Sequence, residues 1–239
     1  MFFRDTPLAL ATAFVWESAG QFLLITNWHN VSGIDPFSGA HISKTAAEPD
    51  RIRVLWGRKG RLGDRVLTEE FLRDPDGVPL WWVHPQHGKQ IDVIALPINP
   101  HPDAEMYPIN GMPSAPLFLA VGADVFVLGY PFGINPGGFP VWKRGSIASE
   151  PRLTNQRCIF LDTASRPGMS GSPIIRRSWG TYFYEDGSVE TVVPPSPATR
   201  FIGVYSGRLA SSDPIDAQLG LAWPATLVTE IVAGRKLDT

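Results

Sequence analysis

The stretch Ser165-Arg166-Pro167-Gly168-Met169-Ser170-Gly171-Ser172-Pro173-Ile174-Ile175 decides how the rest of this chain is read. It sets Ser170 between Gly168 and Gly171, just ahead of an apolar run. Glycine on both sides lets the backbone take a tight turn that a Cβ would hinder. A serine on such a turn exposes its hydroxyl, with backbone N–H groups aimed the same way. A nucleophile beside an oxyanion hole needs that arrangement. The turn alone does not define an enzyme. A base to take the serine's proton and an acid to orient the base must come from elsewhere in the chain.

The rest of the composition suits a β scaffold. The chain has 239 residues, 44% of them hydrophobic and 18% charged, so a packed core is available and disorder is not expected. Gly and Pro number 23 each, turn chemistry that favours many short strands over long helices. The net charge of -2 and the absence of basic runs argue against a nucleic-acid surface. No apolar run is long enough for a transmembrane helix. The single cysteine, Cys158, excludes an intrachain disulfide and lies in an apolar stretch as a small core residue. At the start, Arg4 is offset by Asp5 and the apolar block leads into strand pattern. No export signal is read, and a reducing, cytoplasmic setting is expected.

Working outward, residues 9–15 and 21–26 are apolar runs split by Glu17-Ser18-Ala19-Gly20, a hairpin pattern. The second run ends in Asn27-Trp28-His29, which places His29 at the exit of a buried strand. Residues 51–56 alternate in polarity and 78–83 form a further apolar run, both predicted strands. Residues 90–97 embed Asp92 in an apolar strand, where a carboxylate is costly unless partnered. Five prolines between 99 and 116 mark a linker. The chain divides there into two parts, 1–105 and 106–239. Strands are then predicted at 117–121, 124–131, 141–149, 158–163, 173–176 and 201–205, with a hairpin turn at Asp186-Gly187. Residues 225–233 carry apolar side chains at helical spacing and predict a terminal helix.

Three residues select one another by context. His41, His84, His87 and His101 sit in polar or Pro-flanked loops, whereas His29 follows a hydrophobic strand. Asp92 is the acid inside an apolar run. Ser170 is the serine on the glycine turn. The α/β-hydrolase elbow fails twice: Ser172 stands where its second glycine would be, and no histidine follows Ser170. A metal site from His84, His87 and Cys158 lacks further ligands and is not expected.

At this point a resemblance appears. The blocks 26–29, 92–96 and 167–173 resemble the three motif blocks of the trypsin-like (chymotrypsin-fold) serine peptidases. The closest flavour is the bacterial, disulfide-free HtrA-type and glutamyl-endopeptidase-like kind. Gly129-Tyr130-Pro131, Lys143-Arg144-Gly145-Ser146-Ile147, Gly203-Val204-Tyr205-Ser206-Gly207 and Gly220-Leu221-Ala222-Trp223-Pro224 resemble supporting blocks in the same order. The resemblance implies an all-β fold of two six-stranded antiparallel β-barrels with a C-terminal helix. The first barrel would carry His29 and Asp92, and the second Ser170. It further implies a serine endopeptidase that works through a His-Asp-Ser triad and an acyl-enzyme. The backbone N–H groups of Gly168 and Ser170 would form the oxyanion hole. Ala164, Ser165, Ser206, Gly207 and Arg208 would form the substrate pocket. No cofactor and no metal is implied, and the partners are peptide or protein substrates.

The chain departs from the family in three places. Met169 replaces the acid that pairs with a freshly cut N-terminus, so that activation route is not expected. Ala164 replaces the acid of basic-specific pockets, so Arg or Lys specificity is not expected. Arg208 falls near where family pockets are walled, where it either pairs with an acidic substrate side chain or faces water. No PDZ-like segment follows residue 234, so peptide-gated assembly of the HtrA type is not implied. Two other readings stay open: a catalytically inactive member that serves as a protein-binding module, and a serine esterase on the same fold. Sequence leaves the oligomeric state and the physiological substrate undetermined.

Overall fold

A computed structural model gives the fold and describes residues 1–153, 157–164, 166–193, 197–208 and 219–239. In the first half the strands are β1 (Phe2–Phe3), β2 (Thr6–Pro7), β3 (Phe14–Ser18), β4 (Gln21–Thr26), β5 (Arg51–Arg58), β6 (Arg61–Phe71), β7 (Trp82–Val83), β8 (Ile94–Ile98) and β9 (Ala104–Glu105). A short helix, α1 (Trp28–Ser32), follows β4 directly. The second half contains β10 (Asp124–Gly129), β11 (Val141–Ile147), β12 (Ile159–Asp162), β13 (Pro173–Ser178), β14 (Gly180–Phe183), β15 (Val189–Val192), β16 (Ala198–Arg208) and β17 (Leu219–Pro224). Helix α2 (Ala225–Gly234) and strand β18 (Lys236–Leu237) end the chain.

The second half is a closed barrel in the order β10-β11-β12-β17-β16-β13, as expected. The first half uses two facing sheets: β2-β1-β5-β6, with β9 also on β5, and β18-β7-β8-β4-β3. One strand of the second sheet, β18, comes from the far end of the chain and pairs with β7.

The β3–β4 hairpin forms where the sequence predicts it. Ala19 and Gly20 both take positive φ, 50° and 79°, which a two-residue turn of matching twist requires. β4 and β8 are apolar on both faces because both faces are covered. Leu24, Ile94, Leu96 and Ile98 point into the core of the first half. Leu23, Ile25, Val93 and Ala95 point the other way, onto Val204, Trp223 and the α2 residues Val228, Ile231 and Val232. This second cluster joins the halves, so the ends of β4, β8 and β16 come together. A third cluster, with Val127, Ile147, Leu161 and Ile174, fills the closed barrel.

Some local expectations change. α1 stands where only the end of a strand was expected, and Asp92 lies in the turn just before β8. The run 78–83 contributes only β7, and Leu117 makes one isolated bridge to Tyr184. Helix α2 forms as expected, but its left-handed cap is Arg235 at φ 48°, one residue past Gly234. Among the described residues no helix is long and apolar enough to cross a membrane.

Candidate active site

His29 owes its position to the join between β4 and α1. β4 is fixed on both sides by β3 and β8. The helix then stops after one turn, where Gly33 takes φ 73° and its N–H returns to the His29 carbonyl. A side chain at Gly33 would also press on Pro49 Cδ, 2.7 Å from the Cβ position.

Asp92 is fully buried against this helix. Its Oδ1 accepts the backbone N–H of His29 at 2.9 Å, and its Oδ2 faces His29 Nδ1 at 2.7 Å. The Ser206 hydroxyl donates to Oδ2 as well. The Asp92 carbonyl accepts from Asn27 Nδ2 at 2.7 Å, which fixes the turn that carries it. Three donors on one carboxylate are what make such a buried acid tolerable. An ionised carboxylate only accepts, so Nδ1 carries the proton and Nε2 is left as the basic nitrogen.

Ser170 sits on the turn between β12 and β13. Gly168 at φ 92° and Gly171 at φ 84° bend the backbone there. A Cβ on Gly168 would collide with the Tyr130 carbonyl, and one on Gly171 with the Thr12 carbonyl and Thr26 Oγ1. The turn is pinned from the second barrel by Gly171 N–H to the Tyr205 carbonyl and Tyr205 N–H to the Ser172 carbonyl, both 2.8 Å. It is pinned from the first half as well. Thr12 N–H reaches the Ser170 carbonyl at 2.9 Å, and Thr12 Oγ1 reaches the Gly168 carbonyl at 2.7 Å. Asn30, next to His29, adds its Nδ2 to the Ser170 carbonyl at 3.4 Å.

The serine turn is thereby tied to Asn30, next to His29, and to Tyr205, next to Ser206. The Ser170 hydroxyl lies 3.8 Å from where a Cβ of Gly207 would stand, and Gly207 follows the Ser206 that bonds Asp92. Among the described residues the Ser170 hydroxyl makes no hydrogen bond, and neither the Gly168 nor the Ser170 N–H meets an acceptor. The chemistry these groups offer is nucleophilic attack by a hydroxyl, with N–H donors free for a developing oxyanion.

Of the expected pocket residues, Ala164 is half-buried at the end of β12. Ser165 lies outside the described residues. Ser206 turns its hydroxyl to Asp92 instead of lining the pocket. Gly207 takes φ 101°, and Arg208 pairs through its backbone with Gly220, its side chain lying outside the described residues. Met169 is buried in the barrel core, an apolar anchor where an acid was noted as missing. Ala164 is grouped with Val127, Lys143, Thr163, Met169 and Tyr205, with no room between them for a water. Burial first, and then the charge of Arg166, push the Lys143 ammonium below its usual range. The Tyr205 ring lies against Gly220, where a Cβ would meet the phenol oxygen at 3.0 Å.

Sequence reading missed Thr12, Asn30 and the inward role of Ser206. Thr12 is a polar residue inside the apolar run 9–15, which was the available signal. Asn30 and Ser206 gave none, because their partners are far away in the chain. His84 Nε2 lies 2.6 Å from Glu230, and its ring stacks on His87.

Residues 11–181 match the family model described as trypsin-like peptidase domain. No curated protein matches the sequence. Among solved structures, the chain is similar to the HtrA-type protease AlgW, a serine-to-alanine variant with a tripeptide, at 19% identity and TM-score 0.50. That match covers 94% of this chain and 55% of the other, so this chain spans about half of that protein's length. It is also similar to Rv3671c from M. tuberculosis H37Rv, in an inactive serine-to-alanine form. That match is at 19% identity and TM-score 0.40, over 93% of this chain and 80% of the other.

Proposed function

The chain belongs to the trypsin-like peptidase family, its family match running over residues 11–181, and from this premise we propose that it is a serine endopeptidase acting through Ser170, His29 and Asp92. The observation that carries the proposal is the buried Asp92 carboxylate, held by His29 and Ser206 beside the serine turn.

In the proposed reaction His29 Nε2 takes the Ser170 proton as the hydroxyl attacks the substrate carbonyl. Asp92 keeps the imidazole in the right tautomer and stabilises its charged form. The N–H groups of Gly168 and Ser170 receive the oxyanion, a contribution worth about 100-fold to 1000-fold per donor in such sites. His29 then returns the proton to the leaving amine, and water releases the acyl group from Ser170 by the reverse steps. Residues 1–105 supply the base and the acid, and residues 106–239 the nucleophile.

The pocket reading follows from Ala164 and Lys143. Among the described residues around Ala164 there is a cation, Lys143, and no carboxylate. The proposed pocket therefore does not favour Arg or Lys.

A fluorophosphonate probe tests the assignment. Labelling of the wild-type protein that disappears in Ser170→Ala supports it. Labelling that survives the substitution overturns Ser170 as nucleophile. No labelling of the folded protein favours an inactive binding module. A peptide-library digest beside an ester panel then separates peptidase from esterase, and cleavage after Arg or Lys would overturn the pocket reading.

A further inference from the structure

Residues 52–57 of β5 and residues 10–15 line opposite sides of one cavity of about 520 Å³. Side chains alternate between the two faces of a strand, so a cavity on one face touches every second residue. A cavity that touches six in a row runs along the strand's edge. That edge is open. β6 pairs with β5 on one side, but on the other only Arg51 meets β1, and only Gly57 and Arg58 meet β9. Among the described residues nothing pairs with 52–56 there, a gap of about 16 Å at the usual strand rise. Across the slot, Leu10, Ala11 and Ala13 make no backbone–backbone hydrogen bond among the described residues.

The slot is also apolar. Val15, Leu24, Ile52 and Trp56 lie along its floor. Leu10, Leu55, Tyr107 and Phe139 stand at its sides with 67%, 52%, 71% and 53% of their surface exposed. Arg65 lines it too. Its guanidinium reaches only the carbonyls of Asp64 and Gly137, at 3.2 and 2.7 Å, and no carboxylate among the described residues pairs with it.

We propose that this slot takes one extended peptide strand of a partner protein, about five residues long. The strand's backbone pairs with the open edge of β5, its apolar side chains enter the slot, and an acidic side chain meets Arg65. A fatty acid would fill the volume but leave the backbone groups of β5 unpaired. A strand satisfies the volume and the backbone together. The slot shares Thr12, Thr26, Asn30 and Tyr130 with the surroundings of the Ser170 turn, but Ser170, His29 and Asp92 do not line it, and the proposal does not depend on catalysis.

The test uses Ser170→Ala protein, which cannot digest a peptide by the proposed route. The probe is fluorescein-labelled acetyl-Val-Glu-Ile-Thr-Val-Thr-amide, followed by fluorescence anisotropy and by hydrogen exchange. Saturable binding with slowed exchange at residues 52–56 is expected. N-methylation of alternate peptide residues weakens binding by about tenfold or more in one register and little in the other. Arg65→Gln weakens it about fivefold. Ala13→Trp fills the slot and abolishes it; the N-methylated peptides keep the test valid should that variant fail to fold. Three results overturn the proposal: equal binding of both N-methylated peptides, protection confined to residues 201–208, or displacement by laurate without protection of β5. Protection of β5 by self-association without peptide makes a second copy the occupant and also overturns it.

Discussion

Ser206 Oγ donates to Asp92 Oδ2, the oxygen that also faces His29 Nδ1 at 2.7 Å. Two residues from opposite halves of the molecule therefore share one acceptor. Asp92→Asn presents the wrong partner to Nδ1 and should lower kcat by about 10⁴-fold. Ser206→Ala removes one donor and leaves the tautomer intact, so a loss of only about tenfold is expected. Steady-state kinetics on the two variants check the ranking, and equal losses would contradict it.

Gly168 and Gly171 make a second case. Either residue as alanine puts a Cβ into a neighbouring carbonyl, at a φ that L-residues avoid. Gly168→Ala and Gly171→Ala should each lower fluorophosphonate labelling by about 100-fold, through displaced N–H donors. Gly187→Ala has a similar φ of 83° but open space around it, and labelling at the wild-type rate is expected.

Thr12 bridges the halves through its hydroxyl, which donates to the Gly168 carbonyl and accepts the Tyr130 N–H at 3.1 Å. Thr12→Val keeps the shape and strands both partners in a buried site. A cost of about 1–3 kcal/mol in urea unfolding is expected. Thr12→Ser restores the hydroxyl and should recover most of it. Equal stability of the valine and serine variants would show that the bridge contributes nothing.

Cys158 packs against the cluster between the halves, and burial pushes its thiol above the usual value. A raised value means less thiolate at any pH below it, so the folded protein reacts slowly with a thiol reagent at pH 8. The rate should rise with pH beyond the range of a free cysteine and jump on unfolding in urea. A folded protein that reacts at pH 8 as fast as free cysteine would overturn this.

Much of the fold was legible because its signals are local. Ala19-Gly20 carries its own turn chemistry, β4 is apolar on both faces, and residues 225–233 repeat at helical spacing. The same holds for Asp92, His29 and Ser170, each set apart by its immediate neighbours. α1 escaped because a helix of one turn has no periodicity to detect. The runs 78–83 and 117–121 were read as longer strands than they form, because apolar content marks burial without specifying strand pairing.

By itself the sequence determined the β class and the glycine turn that carries Ser170, and it singled out His29 and Asp92, which the structure pairs with each other. Only the tertiary structure decided that Ser206 reaches Asp92 across 114 positions and that Thr12 reaches Gly168 across 156. It alone left β5 open along residues 52–56, facing residues 10–13. The physical reason is common to all three. A turn or a strand depends on residues within a few positions of one another. A hydrogen bond between distant segments, or an edge left without one, depends on how the two halves close around a shared core. No short stretch of sequence carries that information.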